Sequence, residues 1–262
     1  MGIHVAEDGP PDADSVVFLH GVATTGWMWR RQVHDLRGAM RCLVVDLPGH
    51  GDSAEVAWES LDETAKHVAE IIESRAGGRA GIVGYSLGGY VAARLAAARP
   101  ELVTAAVVSG ISVFPGSMSK RMWRRSQLLM QYSTVGPAVR AAGEAYGVPE
   151  EDMAGFRKAH RFGSRQTLIR MGTEILGFTV PDGAAEAGCP VLAVAGERES
   201  ELVMRSLPVL AGAFSRGEAR YAPNVGARWN GEAPELFSVT VRSWVTEQRL
   251  PPRLRDPAGW VR

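Results

Sequence analysis

The sequence predicts an α/β protein: a mostly parallel central sheet with helices on both faces, interrupted by one all-helical insertion. Three observations predict it. Short β-branched runs alternate with longer helical patterns along most of the 262 residues, as in sheets built from strands joined by crossover helices. Several of the short runs are continuously apolar, as strands covered on both faces are. Between Ile111 and Asp182 the strand-like runs stop and four helix-like stretches follow in succession.

Strands are expected at Ser15 to His20, Arg41 to Asp46, Arg79 to Tyr85, Val103 to Ser109, Pro190 to Gly196 and Gly217 to Ala222. Helices are expected at Trp29 to Leu36, Leu61 to Ser74, Leu87 to Ala98, Glu201 to Ala213 and Ala233 to Glu247. In the second of these, Leu61, Ala65, Val68, Ile71 and Ile72 recur at helical spacing, while Glu63, Lys66, Glu70 and Glu73 take the other side. The resulting division is a core of residues 1–111 and 183–250, a helical cap of 112–182, and a loosely held tail of 251–262 that holds three prolines and three arginines.

Charge balances, with 29 Lys and Arg against 29 Asp and Glu, so the field that draws nucleic acid is missing. No apolar run approaches the roughly 20 residues that cross a bilayer, and the start, with Glu7, Asp8, Asp12 and Asp14, is unlike a signal peptide. Neither nucleic acid nor a membrane is an expected partner, and the cytoplasm is the expected compartment. Between Ile111 and Asp182 the insertion carries ten Lys and Arg against five acids, read as a solvated face in preference to an anion-attracting entrance.

The chemistry is concentrated in Gly84-Tyr85-Ser86-Leu87-Gly88. It follows one expected strand and opens the next expected helix, the context of a G-x-S-x-G nucleophile elbow. A serine in so sharp a turn brings the residues two before and two after it together, so only small residues fit there. The helix N-terminus also presents the Leu87 N–H where an oxyanion would form. Upstream, Val16-Val17-Phe18-Leu19-His20-Gly21 leads into the loop Val22 to Gly26, and Asp46-Leu47-Pro48-Gly49-His50-Gly51-Asp52-Ser53 follows the next strand.

In their order and spacing these three segments resemble the α/β-hydrolase superfamily, in its small capped serine-esterase branch, from about Val16 to about Val245. The resemblance implies oxyanion donors at Val22 and Leu87, an acyl-Ser86 intermediate, and a small acyl substrate (ester, thioester or lactone). It implies no cofactor and no metal; nor is any H-E-x-x-H spacing present. A homodimer is the one protein partner carried as an expectation. Dehalogenase chemistry would need Asp at position 86.

The family's acid follows the strand Pro190 to Gly196. Gly196-Glu197-Arg198-Glu199 stands there, placing Glu199 at the acid position with Glu197 as the fallback, or else forming a solvated helix start where carboxylates are favoured. The family's histidine follows the last strand in a Gly-His pair, and here the pair is Gly226-Ala227. No histidine lies beyond His160. His20 and His50 belong to segments the family uses structurally, and His4, His34 and His67 fall in the first strand and in helices. An inactive variant is therefore expected, either by a change introduced to stall turnover, which the intact surroundings favour, or by natural loss. The alternatives are a ligand-binding sensor and a non-hydrolytic enzyme (lyase, cyclase or C–C hydrolase).

Ser86 is expected to open onto the largest apolar pocket, with Trp27, Tyr85 and Trp229 beside it and Trp123 and Met130 shaping it from the cap. Those last two serve equally well as the cap's own core. By the resemblance, Cys42 and Cys189 lie four strands apart, about 19 Å, and are expected to be free thiols.

Overall fold

Val16 and Phe18 pack into one apolar cluster and Val17 and Leu19 into another, the alternation that sends successive side chains to opposite faces of a sheet. The computed structural model describes residues 2–22, 24–116, 136–145, 148, 150, 153–159 and 165–259. Its strands are β1 (Val5–Asp8), β2 (Ser15–Leu19), β3 (Arg41–Val45), β4 (Ala80–Tyr85), β5 (Val103–Ser109), β6 (Val191–Gly196) and β7 (Gly217–Ala222). They form one sheet in the order β1-β3-β2-β4-β5-β6-β7, parallel throughout except for the antiparallel pair β1 and β3. All six expected strands are present within a residue or so at each end. The added edge strand β1, just after His4, has three of its four residues exposed, so it lacks the apolar run that marks the others.

The helices are α1 (Arg30–Leu36), α2 (Leu61–Arg75), α3 (Leu87–Ala98), α4 (Gly136–Ala145), α5 (Met153–Ala159), α6 (Arg165–Gly177), α7 (Glu201–Ala213), α8 (Trp229–Glu232) and α9 (Pro234–Glu247). α2, α3 and α7 cover one face of the sheet, where Val68, Ile72, Val91, Leu95 and Leu207 meet Leu19, Ile82 and Val108. α1 and α9 cover the other, where Leu36, Phe237, Val241 and Trp244 meet Phe18, Val83 and Val107. α2 starts where it does because Ser60 accepts the Glu63 N–H at 3.0 Å.

Among the described residues of 112–182 no strand occurs; α4, α5 and α6 follow β5. α6 is fastened to the core by Glu174, which accepts the Leu61 N–H at 2.6 Å, and by Gly49, where a Cβ would stand 2.9 Å from Thr167 Cγ2. Cys42 and Cys189 are buried and unbridged, on β3 and just ahead of β6, which stand four places apart in the sheet. No described helix is long and apolar enough to cross a membrane.

Candidate active site

Parallel strands carry their C-terminal ends to one edge of the sheet, where open α/β folds place their chemistry. Ser86 follows β4, Val22 follows β2, Glu199 follows β6 and Ala227 follows β7, so all four expected positions stand along this edge.

Ser86 has φ 50° and ψ −114°, a conformation that a residue with a side chain adopts only when its surroundings impose it. The surroundings here are specific. The Ser86 N–H donates to the Ser109 carbonyl at 2.9 Å, and the Ser86 carbonyl accepts the Tyr90 N–H at 3.0 Å. A Cβ on Gly84 would sit 2.1 Å from the Gly88 carbonyl oxygen, and one on Gly88 would sit 2.1 Å from that of Leu19. The glycine frame expected from the sequence is therefore a matter of backbone against backbone, with no flexible side chain to yield. Leu87 is fully buried at the first position of α3, with its N–H among those a helix start leaves without an intrahelical partner.

The strand end leading to Val22 is locked to the elbow. Gly88 donates its N–H to the His20 carbonyl at 2.9 Å, and a Cβ on Gly21 would lie 3.3 Å from Ser86 Cβ. Fully buried His20 accepts the Leu47 N–H on Nε2 at 2.9 Å, so Nδ1 carries the proton and donates to the Gly21 carbonyl at 2.8 Å. Burial pulls its pKa down to about 4. His50, its ring 4.9 Å away and edge-on, is pulled down to about 3 by burial and then by His20. Both are neutral loop-shaping residues, as their segments suggested.

Asp46 is the residue whose importance the sequence did not single out. It is 7% exposed, and its Oδ1 accepts the Gly26 N–H at 2.8 Å while Oδ2 accepts the Asp52 N–H at 2.9 Å. One carboxylate thus joins the loop after β2 to the loop after β3. The signal available was an acid at a strand end followed by a glycine-rich turn.

At the other end of the edge, the loops after β6 and β7 are fused. Glu197 and Arg198 donate their N–H groups to the Ala222 and Val225 carbonyls at 2.8 and 2.9 Å. Glu197 Oε2 accepts the Asn224 N–H at 2.7 Å, which holds Asn224 at φ 61°. Glu232 Oε2 accepts the Gly226 N–H at 2.9 Å. The carboxylate of Glu197 is thereby engaged in loop structure. Half-buried Glu199 uses Oε1 to accept the N–H of Ser200 at 2.9 Å, and Ser200 caps α7. Its side chain thus meets the start of its own helix, and the residue stands beside the loop that carries Ala227. Ala227 itself is half-buried.

The expected pocket neighbours are dispersed. Trp229 is fully buried, donates from Nε1 to Ser109 Oγ at 3.0 Å and packs 4.4 Å from Phe237, which makes it a core anchor. Trp27 is turned by its 3-10 helix (Gly26–Trp29), capped by Thr25, toward Phe156 of α5 at 5.9 Å, and a Cβ on Gly155 would collide with its indole. It serves cap docking. Tyr85 stays beside the elbow, next to Gly21 and Gly110. Trp123 and Met130 lie outside the described residues. A cavity of about 500 Å³ lies beside α1, lined by Trp27, Arg30 and Asp46 among others, and Ser86 is not part of its walls.

A sequence model of the alpha/beta hydrolase family matches residues 16–237. The chain is 25% identical over 253 residues to an AB hydrolase superfamily protein of Gibberella zeae, covering 92% of this chain and 83% of that one. It is 42% identical over 101 residues to a pimeloyl-[acyl-carrier protein] methyl ester esterase of Nitrosomonas europaea, and that match spans 38% of either chain. Among solved structures it is similar to the enol-lactonase from Burkholderia xenovorans LB400, with a TM-score of 0.74, 21% identity and coverage of 94% and 96%.

Proposed function

Because the chain belongs to the alpha/beta hydrolase family, we propose that its site is built to open an ester, thioester or lactone through an acyl-Ser86 intermediate. The observation that carries this reading is the backbone of Ser86, held at φ 50° between β4 and α3 by glycines that cannot be larger. Such strain persists where the surroundings over-determine it, and it presents the hydroxyl away from the sheet. The esterase and lactonase names among its relatives support the substrate class.

In this reading Ser86 Oγ attacks the acyl carbon, and the Val22 and Leu87 N–H groups receive the negative charge on the carbonyl oxygen. The leaving alcohol departs, and water then releases the acid. Residues 112–182 form a cap over a core of 1–111 and 183–250. Glu199 would orient an imidazole at position 227, but Ala227 offers no nitrogen to take the Ser86 proton. Loss of that base in a serine protease lowers kcat about a millionfold, close to 8 kcal/mol, so this chain turns over slowly while keeping its oxyanion donors.

Ala227→His is the test, assayed on short activated esters and lactones and by labelling with a serine-directed phosphonate. A gain of several orders of magnitude that Ser86→Ala abolishes is the expected result. A histidine variant that stays inert and unlabelled overturns the acyl-enzyme reading. The second reading, a ligand-binding or non-hydrolytic protein on the same scaffold, rests on the alanine at 227 and would then replace it.

A further inference from the structure

His4, Asp46 and Asp52 reach one point from three separate segments, and their ligand atoms all lie within 4.8 Å of one another. We propose that they form a binding site for a single divalent transition-metal ion of the Zn2+ type, apart from the Ser86 elbow.

The three residues are tied together through their backbones as well as gathered in space. The His4 N–H donates to Ser53 Oγ at 2.8 Å, the Asp46 N–H donates to the His4 carbonyl at 3.1 Å, and the Asp52 N–H donates to Asp46 Oδ2 at 2.9 Å. Each main chain is thereby fixed relative to the others before any ion arrives. Asp46 is the buried member. Its two oxygens accept one N–H each, and a carboxylate offers about four lone-pair positions, so each retains one for a metal.

His4 and Asp52 are the adjustable members, with side chains 44% and 45% exposed and Nε2 to Oδ2 at 3.9 Å. Two ligands of a tetrahedral ion at about 2.1 Å each stand about 3.4 Å apart, so a small inward rotation of these two side chains closes the set. All three residues line the cavity of about 500 Å³ beside α1, which leaves room for water ligands. One imidazole with two carboxylates suits Zn2+ and its neighbours better than Mg2+ or Ca2+, which favour oxygen alone. Arg30 and Arg37 share the cavity and oppose a loosely held cation, so retention here requires direct ligation. Arg37 is paired with Asp8 at 3.2 Å.

Calorimetric titration of Zn2+ into the tag-free full chain tests the site, with thermal unfolding followed in parallel. One equivalent should bind and raise the midpoint. His4→Ala and Asp52→Asn, changes at side chains exposed enough to spare the fold, should each weaken binding by at least about tenfold. His34→Ala, at another wall of the same cavity, should leave binding unchanged. No binding at one equivalent, or binding that the first two variants leave intact, overturns the proposal. Equal loss in His34→Ala overturns this ligand set.

Discussion

Gly196 and Gly226 touch across the C-terminal edge of the sheet: a Cβ on Gly196 would stand 2.1 Å from the Gly226 carbonyl oxygen. This contact lets the loop bearing Glu199 lie against the loop bearing Ala227. Gly196→Ala is expected to push the loops apart and destabilise the fold by about 1–3 kcal/mol, read by urea unfolding. In an Ala227→His background it should also remove restored esterase activity, because the imidazole would no longer meet its acid.

Gly88→Ala should be the more severe change, by about 3 kcal/mol or more, since its Cβ would meet the Leu19 carbonyl at 2.1 Å with no side chain able to move aside. Equilibrium denaturation is the check. A cost below 1 kcal/mol would show that the elbow has slack the geometry denies.

Acid should destabilise the chain through its buried histidines. The folded pKa of His20, about 4, lies below its ordinary 6.5, so the unfolded chain binds the proton more readily. The associated stability is fully present above pH 6.5 and is lost as pH falls toward 4, by about 3 kcal/mol for His20 alone. His50, held at about 3, adds in the same direction. Urea unfolding at pH 7 and pH 4.5 should show the drop, and a His20→Asn variant, whatever its starting stability, should show a shallower one.

Asp46→Ala should cost about 2–4 kcal/mol, because it leaves the Gly26 and Asp52 N–H groups without their shared acceptor. Hydrogen exchange at Gly26 should accelerate beyond what the global loss accounts for. Unchanged protection there would show that the loop after β2 has another anchor.

Thiol titration should find both cysteines silent in the native chain and two free groups after unfolding without reductant. Burial lifts Cys42 to about 12 and raises Cys189 as well, and the thiolate is the reactive form.

The sequence by itself determined the order and type of the core elements, and it placed Ser86 in a turn between a strand and a helix. Each of these is local: apolar periodicity, turn residues and a strand–serine–helix context are complete within some ten residues. Even β1 escaped only because its exposed edge carries no apolar run. What the tertiary structure alone decided is where loop side chains go. Trp229 lies two residues beyond Ala227, yet it is a core anchor bonded to Ser109. Glu197 and Glu199 stand two residues apart, but one clasps Asn224 and the other faces its own helix start. Asp46 joins two loops. A loop has no periodicity to fix its side-chain directions, so they follow from hydrogen bonds between segments far apart in sequence, and those exist only once the sheet has brought the segments together.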